Sequence, residues 1–291
     1  MKTFSPIAAA ILLAVSGSAF AANNTANLTQ VGVGNGAIAD QTGPTTDDNT
    51  INQVQVGFFN GAYAEQDGES NSLISQTQFG VANGAFSLQT GGIANSAAIL
   101  QVGAANGAAT IQVASGLSSA SITQAGLFNG ASVLQAVSLL SSASITQTGI
   151  ANTASAVQVL SLLNSSDINQ LGVANNADSF QSGILQSSSM TQVGLGNDAD
   201  TRQIGLFNEA DILQVGVANE ADVSQLGAAN SGTTAQFGFL NDSYIGQVGV
   251  GLTATTTQIG GANNVLVGQI GLGDTATSLQ IGFGNNGLIL Q

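Results

Sequence analysis

The chain has 291 residues, of which only 6% are charged, with no His, no Cys and no Trp, and sixteen acidic side chains stand against two basic ones. That balance argues against nucleic acid as a partner. Carboxylates are left as the only candidates for acid–base chemistry, so no enzymatic role, cofactor or metal site is expected. One or two compact domains would be ordinary for this length, but an internal period overrides that prior.

The start of the chain reads as a processing signal, residues 1–21. Lys2 supplies a positive start, Ile7 to Val15 an apolar run, and Ala19-Phe20-Ala21 a small-x-small cleavage site. The alternative is a buried N-terminal helix. The run is too short to span a bilayer and no later segment is continuously apolar, so no membrane span is expected. After cleavage Arg202 is the only basic side chain, and the protein is expected to leave the cytoplasm.

Residues 22–29 read as a short polar leader, and residues 30–291 as one repeat region. Gln30, Gly32, Asn35, Ala37 and Gln41 give the first copy; Gln41 to Gln55, with Gly43-Pro44 and Asp47-Asp48, reads as an expanded turn. Gln55, Gln78, Gln101, Gln124, Gln147 and Gln170 then recur every 23 residues, with Gln66, Gln89, Gln112, Gln135, Gln158 and Gln181 between them. From Gln192 to Gln291 a glutamine returns every eleven residues. A period this short marks a unit that buries its face only by stacking.

Within a unit the pattern has period two: Asn208, Ala210, Ile212, Gln214 share one face, as do Ser118, Ala120, Ile122, Gln124. Each unit is therefore a strand plus an arc, with Gly two residues after Gln expected to end the strand in a tight turn and Asn to open the next. The fold class is all-β: a β-solenoid of about twelve coils, two strands per coil and 22–23 residues per coil. At about 4.8 Å per coil the rod is roughly 55–60 Å long. Gln and Asn point inward by this parity, and stacked copies of one amide satisfy each other where a lone buried amide could not. The alternative places them at solvent-facing turns. With a short leader and Gln291 closing the chain, no capping segment is expected, and open strand edges favour polymerisation.

The motif S-x5-Q-x-G-x-x-N-x-A-x-x-x-Q is similar to the repeat of curlins, the subunits of bacterial curli fibres. Fifteen segments fit Q-x-G-x-x-N, and Gln280-Ile281-Gly282-Phe283-Gly284-Asn285-Asn286 resembles the close of a curli major subunit, here with an expanded number of repeats. The resemblance implies a secreted functional amyloid at the cell surface, reached through the periplasm and an outer-membrane secretion pore. It also implies a nucleator subunit as partner, and roles in biofilm matrix, adhesion and cell aggregation. By that likeness the residues most responsible for nucleation and elongation are the terminal ladder positions. At the start these are Gln30, Asn35, Gln41, Gln55, Asn60, Gln66, Gln78, Asn83 and Gln89; at the end, Gln258, Asn263, Gln269, Gln280, Asn285 and Gln291. The alternatives are a nucleator of the same fibre, or a monomeric solenoid binding module, adhesin or ice-binding.

Three columns remain outside the ladder. Asp198, Glu220 and Asp242, and likewise Asp178, Asp200 and Asp222, are spaced by 22 and stack outward as like charges. They read either as a solvated face or as gatekeepers that slow assembly until acid or divalent cations screen them; the G-G-x-G-x-D calcium repeat is absent. Leu117, Leu140, Leu163 and Leu185 follow the coil spacing beside Gly116, Leu139, Leu162 and Ile184. That stripe is either tucked over the core or exposed for lateral packing. Ser231-x-Thr233, Thr253-x-Thr255 and Thr275-x-Thr277 fall on the face opposite the acids, resembling either an ice-binding array or ordinary outward strand residues.

Overall fold

The computed structural model describes residues 23–43 and 45–291. The processing signal and Pro44 lie outside the described residues. Twenty-four strands run from β1 (Thr25–Val33) and β2 (Gly36–Asp40) to β23 (Thr275–Phe283) and β24 (Asn286–Leu290). Odd-numbered strands form one twelve-stranded sheet and even-numbered strands a second, every neighbour parallel and one coil apart in sequence. The chain is a β-solenoid of twelve coils. A first arc carries each coil from the odd to the even sheet, and a second arc carries it on to the next coil. Among the described residues no helix is long and apolar enough to cross a membrane. β1 starts at Thr25, inside the stretch read as a leader.

The core between the sheets is thin because its repeated residues are small. Ala131, Ala154, Ala177 and Ala199 stack on one side, and Ile122, Ile145, Ile168 and Met190 on the other, all buried. Such burial contributes about 2–3 kcal/mol per isoleucine, and buried Gln and Asn fill the space that small side chains leave at the corners.

The 23-residue and 22-residue halves share the same two sheets. Wide coils place their extra residue in the second arc, which bends at two left-handed corners: Ala114 (φ 49) with Leu117 (φ 52), and Val137 (φ 52) with Leu140 (φ 54). The last wide coil loses that residue through a bulge between Gln158 and Ser161 of β12 (Thr153–Leu162).

The repeat glycine is not the turn. Gly205, Gly216 and Gly227 lie inside strands with φ of 128, 139 and 133, and the corner falls two residues later at Phe207, Ala218 and Ala229. Glycine is needed there because the next coil's backbone presses against it: a Cβ on Gly216 would sit 1.7 Å from the Gly238 carbonyl oxygen. Gly216→Ala should therefore cost at least about 2 kcal/mol in chemical denaturation. Gly61→Ala, where no heavy atom lies within 4 Å of the new Cβ, should be neutral or stabilising by up to about 1 kcal/mol. Equal effects would contradict this account of the glycine column.

Candidate functional site: the amide ladders and the surface columns

Most repeat glutamines spend both amide protons on fixed partners, while Gln30, Gln41, Gln66, Gln269, Gln280 and Gln291 each donate to one. Gln203 Nε2 donates to Gln225 Oε1 in the next coil at 2.9 Å and across the core to the Ser187 carbonyl at 2.8 Å. The same up-axis bond joins Gln30 to Gln55 and Gln41 to Gln66, both at 2.7 Å. Near the other end it joins Gln258 to Gln280 at 2.9 Å and Gln269 to Gln291 at 2.8 Å. All donors face the C-terminal end, so the ladder has a direction.

Asparagines form a second ladder at the first arc. The Asn60 backbone N–H donates to Asn35 Oδ1 at 3.0 Å, while Asn60 Nδ2 donates to the Gly80 carbonyl at 3.0 Å. Asn83 repeats both bonds, and Asn263 and Asn285 continue the column, Asn285 N–H reaching Asn263 Oδ1 at 3.2 Å. Oδ1 thus binds the coil after it, and Nδ2 cross-links the corner to the strand beyond. This arc keeps its asparagine from Asn35 to Asn285. The second arc does not, carrying Ser72, Ser118, Ser141, Gln186 and Leu252 at its equivalent corner.

Away from the outermost coils, the ladder residues singled out near the ends make the same onward bond as the inner ones. Gln78 and Gln89 bond onward to Gln101 and Gln112 at 2.8 and 2.7 Å, as Gln66 does to Gln89 and Gln55 to Gln78. Sequence likeness alone had singled out the ends; the period was the signal for the whole column. At the rod's outer coils, among the described residues, no side chain donates to Gln30 or Gln41 Oε1, and Gln280 and Gln291 Nε2 reach only the Asn264 and Thr275 carbonyls.

The acids stack as columns on the even-numbered sheet. Asp178 pairs with Asp200 and Asp200 with Asp222, while Asp198, Glu220 and Asp242 run beside them. Loss of surrounding water, then its charged neighbours, raises the Asp200 carboxyl above the usual range and pushes Asp222 up to about 6. Asp178 and Asp242 are raised mainly by the same desolvation. Among the described residues no group of three or more acids is arranged to hold a metal ion.

The Ser/Thr columns lie on the other sheet, Ser231 under Thr253 and Thr275, and Thr233 under Thr255 and Thr277. One coil earlier the same columns hold Glu209 and Asp211, so acids interrupt the hydroxyl array. The Leu stripe is not tucked over the core: Leu117, Leu140, Leu163 and Leu185 are 42–57% exposed.

Glu69 is an acid that lies outside the outward columns and that the sequence pattern did not single out. It is fully buried in the second arc, accepting from Ser72 Oγ at 2.7 Å and Asn95 Nδ2 at 3.1 Å, while its Oε1 has no hydrogen-bond partner. Burial raises its pKa, partly offset by those donors. Its signal was the adjacent Gly68-Glu69-Ser70-Asn71 turn, which occupies a core-facing corner and not a strand's outer face.

Against this geometry, the family model described as the curlin associated repeat matches residues 196–227. That stretch holds Gln203, Gly205, Asn208, Gln214, Gly216 and Asn219, members of both ladders and the glycine column. The chain is similar to that repeat over about one and a half coils. No curated protein matches the chain.

Two outcomes test the buried polar groups. Gln147→Ala strands Gln124 Nε2 and Gln170 Oε1, bonded to it at 2.9 and 2.8 Å, and should cost the soluble rod about 3–5 kcal/mol. A loss under about 1 kcal/mol in urea unfolding would contradict the ladder's role. Glu69→Gln removes a buried charge. It should raise the melting temperature at pH 8 and leave it nearly unchanged at pH 4, because the raised pKa favours the protonated folded state. A uniform shift at both pH values would contradict that assignment.

Proposed function

We propose that this chain is a secreted structural subunit that stacks coil on coil into a curli-like amyloid fibre at the cell surface. The single observation that carries the reading is the interchangeability of coils. From Gln30 to Gln291, Gln sits on Gln in register, with donors all facing one way. A second copy set against an outer coil would continue both ladders with the same sense, gaining backbone bonds and amide bonds together. The curlin-repeat match supports the same reading. A nucleator subunit and an outer-membrane secretion pore are the partners this function calls for, with biofilm matrix and adhesion as its roles. In this reading Gln30, Asn35, Gln41, Gln280, Asn285 and Gln291 are the contact residues between subunits.

The acid columns set when this happens. Asp178, Asp198, Asp200, Glu220, Asp222 and Asp242 act as gatekeepers, because like charges at coil spacing oppose both folding and stacking. The groups with raised pKa hold their protons more tightly folded than unfolded. Their contribution is therefore complete below the ordinary aspartate range and is lost as pH rises through about 6 for Asp222.

Thioflavin fluorescence with and without fibre fragments, at pH 7.5 and pH 5, tests both statements. Wild-type residues 22–291 should elongate after a lag that fragments shorten and acid shortens further. Substituting Asn at Asp200, Glu220, Asp222 and Asp242 should shorten the lag at pH 7.5 and flatten the pH dependence. Unchanged lag times would remove the gatekeeper role, and a persistent soluble monomer under every condition would favour a binding module instead.

A further inference from the structure

The second arc carries more apolar surface than its turn requires. Leu117, Leu140, Leu163, Leu185 and Phe207 occupy one corner of five successive coils, each in the left-handed region with φ between 52 and 59. They are 42–58% exposed. In the wide coils Val137 and Leu160 add a second left-handed corner, 54% and 65% exposed. Such a backbone disfavours bulky and β-branched side chains. The fold does not need them there, because Ala94, Ala229, Gly251 and Gly273 make the same corner in other coils. Strained, exposed apolar side chains that folding does not require point to a contact made outside the monomer.

We propose that this arc is a lateral seam for a second copy of the chain, joining rods edge to edge. Pitch is the first argument. Its side chains recur at the coil rise of about 4.8 Å, and a partner that meshes over many rungs must have the same rise, as another rod of this repeat does by construction. Charge is the second. Between Ile93 and Leu272 this arc has no charged residue, whereas acids project from both sheets, so like-charged copies meet more readily at this edge than face to face. The first arc is also uncharged, and it is the unbroken run of Leu117, Leu140, Leu163, Leu185 and Phe207 that marks the second. Size is the third. A strip roughly 40 Å long and one two-sheet thickness of about 10 Å wide buries about 800 Å² over both copies, a weak contact for one pair of rods. Stacking rods end to end multiplies it, so firm pairing rests on the fibre reading above.

The test replaces Leu117, Leu140, Leu163 and Leu185 by Asn, which tolerates left-handed backbone, and in a second variant by Ala, the residue already present at this corner in Ala94 and Ala229. Negative-stain microscopy of wild-type fibres should show paired filaments and both variants single ones, with unchanged seeded growth rates and melting temperatures no lower than wild type. If no fibres form, the stacking reading has failed and the seam is scored on soluble rods: sedimentation equilibrium should show wild type self-associating about tenfold more tightly than either variant. Equal filament widths, equal self-association, or a melting temperature that falls in both variants would overturn the seam.

Discussion

The register of the amide ladder is the constraint on which the molecule depends. A buried glutamine in a core of alanines and isoleucines is costly unless every polar atom has a partner. Only another glutamine at the same position one coil away supplies both the acceptor above and the donor below. Hence Gln203 must lie on Gln225 and Gln225 on Gln247, at 2.9 Å each. An apolar core tolerates a slip of a strand by two residues far better than this one does. The glycine column enforces the same register from the backbone side, since only Gly opposite Gly admits the next coil's carbonyl. The rod is specified by what it cannot misalign.

That specification has two consequences beyond the monomer. Bonds that join one coil to the next do not depend on which chain the next coil belongs to, so in the proposed fibre folding and assembly would draw on the same interactions. The surface would then govern when rods meet. Carboxylate columns set like charges along one face, and in the proposed seam the stretch of the second arc from Ile93 to Leu272, free of charge, offers an edge of matching pitch. The direction of the amide donors gives any stack a polarity, with unlike faces at its two ends.

Much of this was legible in the sequence because the period itself is the structural unit. Twenty-four glutamines at repeat positions correspond to twenty-four strands, and the inward parity of Ala210, Ile212 and Gln214 follows from alternation alone. What was not legible lies in the arcs, where several backbones satisfy the same composition. Gly205 looks like a turn residue but is a strand residue held at φ 128 by its neighbour's carbonyl. Thr25 to Thr29 look like a polar leader because the first coil's outer face is hydrophilic, yet they pair with Thr50 to Val54. Glu69 was not singled out because a local pattern cannot show which side of a corner faces the core. The exposure of Leu140 depends on a left-handed corner that no alternation rule anticipates.

The most direct test of the central claim is a cryo-electron microscopy reconstruction of fibres grown from residues 22–291. The account predicts a continuous two-sheet solenoid in which the Gln280 and Gln291 columns of one subunit run into the Gln30 and Gln41 columns of the next without a break in the coil rise of about 4.8 Å. Fibres whose subunits meet side by side, or whose cores abandon the two-sheet coil for another strand arrangement, would contradict it.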